Sequence, residues 1–347
     1  MKKVYILHKN GAPSHYVGLD YLLKEQGASL VHREFSVFGT FFKAVFKGNG
    51  KALKKQIVNF CFLASLLFSK NKKIVLGIAP FDAKLGSLLF LLKNHQVYYH
   101  SSWTCWDKTF HPKRKNNSPK VFEKWRFMLE EKTAHIFVVT QRVKNALLEN
   151  YKIDPSKISV VYHSLDLSFP SQNNFNRAAN SYISVGRIIP EKGIREMLDV
   201  FAARPTLKLT IVGSGSEENI VKEYAQKFEN ITFFGKTKNR QELFETMQKH
   251  QYLVLNSKKT ATWEELFGLV IIEAMSQGLI VLSSNHSGPK EIINQNTGYL
   301  FEEGNLASTI DAVWQRAFPT EMSENAIEHS KKYLSKNIAK LWKPILQ

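Results

Sequence analysis

Glu265 and Glu273 stand eight residues apart with Gly268 between them. Paired carboxylates can exchange protons with a substrate or hold its hydroxyl groups, and their separation distinguishes the two uses. On a continuous helix a rise of about 1.5 Å per residue would put them roughly 12 Å apart, whereas carboxylates that cleave a glycosidic bond lie about 5 to 9.5 Å apart. The spacing therefore suits two carboxylates on opposite ends of one extended ligand. The run from Glu264 to Gly278 comes after a strand-like segment and a polar loop. A helix starting near Gly268 would turn the free amides of Gly268, Leu269 and Val270 toward the strand ends, where such amides hold phosphate. Gly268 has no side chain to block the approach. Standing alone, the segment also fits an amphipathic helix with a capping glutamate.

A second cluster lies upstream. In Gly186-Arg187-Ile188-Ile189-Pro190-Glu191-Lys192-Gly193, Arg187 and Lys192 fall in the loop after a strand. Two cations there can neutralise a departing diphosphate, a role often filled by a divalent metal. The chain has no Asp-x-Asp pair of the kind that holds such a metal, so no metal or other cofactor is expected. Two nucleotide motifs fail on spacing. Gly235-Lys236-Thr237 lacks the earlier P-loop glycine, which is Asn230, and Gly213-Ser214-Gly215 lacks a third glycine because position 218 is Glu218.

Short β-branched or aromatic runs alternate with helix-length segments, the pattern of a parallel α/β chain. Strands are expected at 4–8, 30–35, 74–79, 96–101, 135–140 and 159–163, and after a polar linker at 169–177, again at 181–185, 208–212, 231–234, 252–255 and 279–283. Helices are expected between them, among them 53–69, whose apolar part 57–69 reads as a buried helix rather than a membrane-dipping one, 142–149, 193–201 and 270–277. The reading is two doubly wound domains, 1–170 and 171–321, with a helical tail at about 322–347 lying back on the first. Ligands of such sheets bind beyond the carboxyl ends of the strands, so the cleft between the domains is the expected site.

Composition is that of a folded soluble chain: 347 residues, 44% hydrophobic and 22% charged. Two cysteines, Cys61 and Cys105, without C-x-x-C spacing argue against a disulfide framework and structural zinc and fit a reducing cytoplasm. The first apolar run is too short for a signal peptide, and the longest, 57–69, is too short for a membrane span. The net charge of +18 is uneven: residues 1–170 carry 27 Lys+Arg against 11 Asp+Glu, leaving 21 against 19 for the rest. The first half should attract polyanions. Its stretch Lys108 to Arg126, with Lys113, Arg114, Lys115, Lys124, Trp125 and Arg126, interleaves cations and aromatics. That suits a nucleic acid backbone or an anionic membrane surface with Trp125 at the interface; a solvated charged face is the third possibility.

In order along the chain, Ser184-Val185-Gly186-Arg187, Glu191-Lys192-Gly193, Ile211-Val212-Gly213-Ser214-Gly215, Glu265-Leu266-Phe267-Gly268-Leu269, Glu273-Ala274-Met275 and Gly288-Pro289-Lys290-Glu291 resemble the retaining glycosyltransferases of family 4. That resemblance implies the GT-B fold of two facing Rossmann-like domains and transfer of a hexose-type sugar from a nucleotide diphosphate donor. It implies that Arg187 and Lys192 hold the donor phosphates with the amides of Gly268 and Leu269, that Glu265 meets the transferred sugar, and that Glu273 meets the ribose. In the first domain it implies a donor contact at Gly11 and an active-site role for His100. The acceptor implied is a glycan, lipid-linked and met at the inner face of the cytoplasmic membrane, in bacterial surface-polysaccharide synthesis such as lipopolysaccharide or capsule; no nucleic acid partner is expected. A soluble acceptor and a polyanion-binding protein on a degenerate scaffold are the alternatives. The chain departs from the family pattern at His163-Ser164-Leu165-Asp166, where Asn-Gly-Val-Asp is usual, and at Asn256-Ser257, where Pro-Ser is common.

Overall fold

The computed structural model describes residues 2–9, 13–46, 48–108, 118–165 and 177–347. Gly11, Lys113, Arg114 and Lys115, the expected donor glycine and the centre of the basic stretch, lie outside the described residues, as does most of the expected linker.

The chain forms two α/β units. The first comprises Met1–Ser164 with Ser335–Gln347, and the second Leu165–Leu334. The first holds six strands, β1 (Lys3–His8), β2 (Ser29–Glu34), β3 (Lys73–Gly77), β4 (Gln96–Ser101), β5 (Thr133–Val138) and β6 (Ile158–Val160), in the order β2-β1-β3-β4-β5-β6. The second holds β7 (Ser181–Arg187), β8 (Lys208–Ser214), β9 (Ile231–Gly235), β10 (Tyr252–Leu255), β11 (Ile280–Ser284) and β12 (Gly298–Phe301), in the order β12-β11-β10-β7-β8-β9. Every pairing is parallel. Parallel sheets need helices on both faces, so their central strands read as unbroken apolar runs. Tyr252–Leu255 and Ile280–Ser284 are buried at every position. Each sheet reverses the direction of strand addition once, between β1 and β3 in the first and between β7 and β10 in the second. At such a reversal the adjacent loops diverge to opposite faces and leave a crevice beyond the strand ends.

The second unit's core joins Tyr182, Met197, Phe201, Leu209, Ile211, Val254 and Leu282. In the first unit aromatic rings dominate. Trp125 is fully buried, with its ring centroid 5.7 Å from Tyr99, 6.0 Å from Phe81 and 6.1 Å from Trp106. Its indole donates to Asp82 O at 3.3 Å. Trp125 is therefore core and cannot be an interfacial anchor, a correction to the expected basic–aromatic patch. On the helix Pro119–Phe127 its neighbours Lys124 and Arg126 do point to solvent; a helix separates adjacent positions by about 100°, which is why the three do not share a face.

Two further expectations change. The segment read as a buried helix is Gly50–Ser65, and it exposes Ile57, Val58 and Phe60. The chain leaves the first unit after Ser164, and only Ser335–Gln347 returns to it. The helix Thr320–Ser330 stays with the second unit because Ser323 Oγ is bonded to Gly278 O at 2.5 Å, and Arg177 ties Gln277 O, at 2.8 Å, to Ser323 Oγ, at 3.4 Å. The returning tail docks through Trp342, whose ring lies 4.4 Å from Phe137, and through Ile338 against Gly18, where an added Cβ would sit 2.8 Å from Ile338 Cγ2. Among the described residues no helix is long and apolar enough to cross a membrane.

Removing the Trp125 ring leaves a void lined by three aromatics. Trp125→Ala is expected to cost about 3 to 5 kcal/mol, whereas Lys124→Ala and Arg126→Ala should stay within about 0.5 kcal/mol. Urea unfolding midpoints of the three variants measure the contrast.

Candidate active site

The crevice of the second sheet is built from the loops that leave β7 and β10. Arg187 is the last residue of β7 and is exposed, and the turn Pro190–Lys192 brings Lys192 back beside it. Gly193 closes this turn with φ 60°, and a Cβ there would fall 2.2 Å from Asn256 O, so only glycine lets the turn lie against the residue after β10. Asn256 is buried and donates to Gly193 O at 3.0 Å and to Glu196 Oε2 at 3.1 Å. The departure from Pro-Ser thus has a structural use: an amide side chain ties the two loops together where a proline could not.

Lys192 Nζ binds Glu265 Oε2, and the two side chains keep only 15% and 13% of their surface exposed. Ser257 Oγ donates to the same carboxylate oxygen at 3.2 Å, and Lys192 Nζ lies 5.2 Å from the Trp263 ring centroid. The Glu265 backbone is held from both sides. Its N–H donates to His286 Nδ1 at 3.0 Å and its carbonyl accepts from Gly288 N at 3.1 Å. Since Nδ1 accepts, the proton of His286 sits on Nε2 and faces Glu303 Oε1 at 3.0 Å. The two expected phosphate and sugar ligands, Lys192 and Glu265, are thus brought together as a pair, held by His286, Gly288 and Ser257.

Gly268 caps the helix Leu269–Ser276 with φ 83°, and a Cβ there would meet Ile271 Cδ1 at 2.7 Å. The helix begins where expected; Ile271 N already donates to Gly268 O at 2.9 Å, and the amide of Leu269 before it has no intrahelical acceptor. Glu265 lies in the loop before it, so helical rise does not set the separation of the two glutamates. Glu273 is on the second turn, 8% exposed, with Oε1 accepting from Arg240 Nη2 at 2.9 Å. Arg240, 41% exposed, keeps much of its hydration, while Glu273 has lost most of its own. Burial therefore outweighs the guanidinium and pushes the Glu273 carboxyl up to about 7.

In the first unit, His100 lies near the end of β4, paired with Phe137 on β5. It borders a pocket of about 230 Å³ at the reversal of that sheet, with His8, His15, Gly77 and Trp103. Its ring packs 5.0 Å from Tyr16 and 5.5 Å from Trp342, and its Nε2 has no hydrogen-bond partner among the described residues. Burial, helped by His15 and His8, lowers its pKa to about 3, so the imidazole is neutral near pH 7. His163, at the first departure from the family pattern, packs against His15 with centroids 4.4 Å apart and the rings tilted by 36°.

Sequence reasoning missed Arg240, His286 and His15. Arg240 reads as a surface charge in Lys238-Asn239-Arg240, and His286 contributes one ring nitrogen across 21 residues; neither carries a local signal.

The description Glycosyltransferase Family 4 matches residues 80–169, and Glycosyl transferases group 1 matches residues 168–333, which contain β7 to β12 and the whole second crevice. The chain belongs to the group 1 glycosyltransferases. Among similar proteins are the GtfA subunit of a UDP-N-acetylglucosamine–peptide N-acetylglucosaminyltransferase from Limosilactobacillus reuteri, 24% identical over 80% of this chain and 55% of that one. The O-antigen chain mannosyltransferase RfbU of Salmonella typhimurium is 24% identical over 61% of this chain and 59% of its own. The chain thus spans little more than half the length of these relatives. A solved structure of Anabaena HepE in complex with UDP superposes with a TM-score of 0.67 over 100% of this chain and 99% of that one, at 16% identity. The two-unit architecture is therefore the family's GT-B fold.

The Glu273 carboxyl titrates near 7 in the folded chain against 4.5 when free, so the native state holds its proton more tightly and stability falls as pH rises through that window. Glu273→Gln keeps an oxygen for Arg240 and cannot ionise. Its urea midpoint is expected to lose this slope between about pH 4.5 and about pH 7 and to match the wild-type trend below it.

Proposed function

We propose that this chain transfers a hexose-type sugar from a nucleoside diphosphate donor to a lipid-linked glycan, with retained anomeric configuration and without a metal ion, in the assembly of a bacterial surface polysaccharide. The observation that carries the reading is the Lys192–Glu265 pair, with Arg187 and Lys192 lining one pocket and Glu265 in the loop that leads into the helix Leu269–Ser276.

Breaking the bond between the sugar's anomeric carbon and the diphosphate places new negative charge on the leaving group. Fixed cations and backbone amides stabilise such charge most where water is scarce. Lys192 is the fixed cation, oriented by Glu265 and Trp263. A diphosphate adds at least two charges and competes with Glu265 for the ammonium, which frees the carboxylate to accept hydrogen bonds from sugar hydroxyls. Arg187, exposed at the end of β7, supplies a second cation able to fork across phosphate oxygens. These two cations take the place a divalent metal often fills. Glu273, on the same helix, is offered to a ribose: when ionised it accepts, and when protonated it also donates. His100, neutral and with no hydrogen-bond partner for its Nε2 among the described residues, is the group in the first unit fitted to meet a sugar hydroxyl or the reacting centre.

The UDP in the HepE structure supports a nucleoside diphosphate donor, and the O-antigen activity named for RfbU supports a surface glycan as product.

Saturable thermal stabilisation by one member of a nucleotide-sugar panel is the first test, since a ligand that binds the native state raises apparent stability by mass action. Glu273→Ala should weaken that binding by about 10- to 100-fold, the size of a lost hydrogen bond to a charged group. Glu265→Gln should lower kcat by about 100-fold or more with a smaller change in KM. Stabilisation by no nucleotide sugar would overturn the reading. Turnover should persist in EDTA, and the product anomer read by NMR should match that of the donor. Loss of turnover restored by magnesium, or an inverted anomer, would refute those two parts.

A further inference from the structure

The helix Gly50–Ser65 is built inside out. Its inward face is polar at two of its buried positions, Gln56 and Asn59. Gln56 Nε2 donates to Glu34 Oε2 at 3.0 Å, Asn59 Oδ1 accepts from Glu34 N at 3.2 Å, and Lys55 Nζ binds Glu34 Oε1 at 2.7 Å. The carboxylate at the end of β2 thus draws the polar side chains inward. Apart from the buried Phe62, the apolar ones lean outward: Leu53, Ile57 and Phe60 recur at intervals of four and three, the spacing of one helical stripe, with Leu53 half-buried and Ile57, Val58 and Phe60 exposed. The preceding helix, Val37–Phe46, ends in Phe46 at 88% exposure, and the segment after the second helix ends in Phe68 at 89%. Leaving this much aromatic surface in water is unfavourable unless something covers it.

The surrounding charge indicates what covers it. Between Glu34 and Asp82 the chain has eight lysines and no acidic residue. Lys51 and Lys54 are exposed on the same helix as Ile57 and Phe60. Protein–protein interface cores are depleted in lysine, whereas exposed apolar side chains with exposed lysines on the same helix match the two layers of an anionic bilayer surface, acyl boundary beneath and phosphate above.

We propose that the helix pair Val37–Phe46 and Gly50–Ser65, with Phe68, is the surface by which the first unit docks on an anionic lipid bilayer, with the phenylalanines entering the headgroup–acyl boundary and the lysines meeting lipid phosphates. This surface differs from the Lys113 to Arg126 stretch expected from sequence, whose Trp125 is core. It does not rest on the donor site, so nucleotide binding and bilayer binding can fail separately.

Flotation of the whole chain with phosphatidylcholine vesicles, with and without phosphatidylglycerol, tests it. Binding is expected only with phosphatidylglycerol and should fall as salt rises. Combined Phe46→Ser and Phe68→Ser should reduce binding by about tenfold or more, and combined Lys51→Glu and Lys54→Glu should reduce it further at low salt. Lys124→Glu with Arg126→Glu should leave most of it. Because the changed side chains are exposed, an unchanged melting temperature is the check on folding. A second measurement needs no change in this surface beyond a label: an environment-sensitive fluorophore on the exposed Cys61, in a Cys105→Ser background, should shift to the blue on phosphatidylglycerol vesicles. No binding to either vesicle, binding unchanged by the phenylalanine variants, or no shift at Cys61 would overturn the proposal. A dimer in solution that the phenylalanine variants dissociate would also overturn it, in favour of a second copy on this face.

Discussion

Drawing the ammonium of Lys192 and the carboxylate of Glu265 out of water is costly for either alone, and each is tolerable because the other is present. Such pairs add little net stability, but losing one member leaves a stranded charge. That asymmetry explains why so much backbone is committed to fixing them. Gly193 lets the lysine's turn press against Asn256, His286 and Gly288 hold the glutamate's peptide at both ends, and Ser257 takes part of the carboxylate's remaining hydrogen-bonding capacity. A cation held this way is already oriented and partly dehydrated before any ligand arrives. An anion that replaces Glu265 as its partner therefore meets less reorganisation than it would at a free surface lysine.

The same logic runs through Glu273, with the opposite balance. Its partner Arg240 sits at the surface and keeps its water, so burial prevails and the carboxyl is held near the midpoint of its titration at neutral pH. One short helix is thus entered at a half-buried acid that is paired and carries at its second turn a buried acid that is undercompensated. The two glutamates look equivalent in sequence and differ because their partners do: Lys192, in the turn after β7, is largely buried, and Arg240, at the start of the helix Arg240–Met247, is exposed.

What the sequence discloses and what it hides divide along this line. The β7–Arg187–Gly193 turn, the Gly268 cap and the helix after it are local, so residue type and spacing at 186–193 and 264–278 suffice to place them. The alternation of strands is likewise local, and the expected parallel α/β organisation is the observed one; β12 was missed because Gly298–Phe301 is a four-residue edge strand in an asparagine-rich setting. Arg240, His286 and His15 act through partners in other elements, 33, 21 and 148 residues away, and no local pattern announces them. Trp125 misled because a tryptophan between two cations looks interfacial until helical geometry sends it to the other face. The helix Gly50–Ser65 misled in the reverse sense: apolar residues are read as buried, and here the one buried acid of β2, Glu34, claims the inward face for Gln56 and Asn59.

The return of Ser335–Gln347 bears on how the polypeptide acquires its shape. Trp342 packs against Phe137 and His100, and Ile338 fills the space over Gly18, so the core around β1, β4 and β5 includes side chains made only after the whole second unit. The second unit needs nothing after Leu334. On a ribosome, which delivers the chain at about 5 to 20 residues per second, the later-coded half can close first. The earlier half waits with an unfinished aromatic cavity and a basic surface until Ser335–Gln347 emerges. The usual N-to-C order of domain completion is inverted.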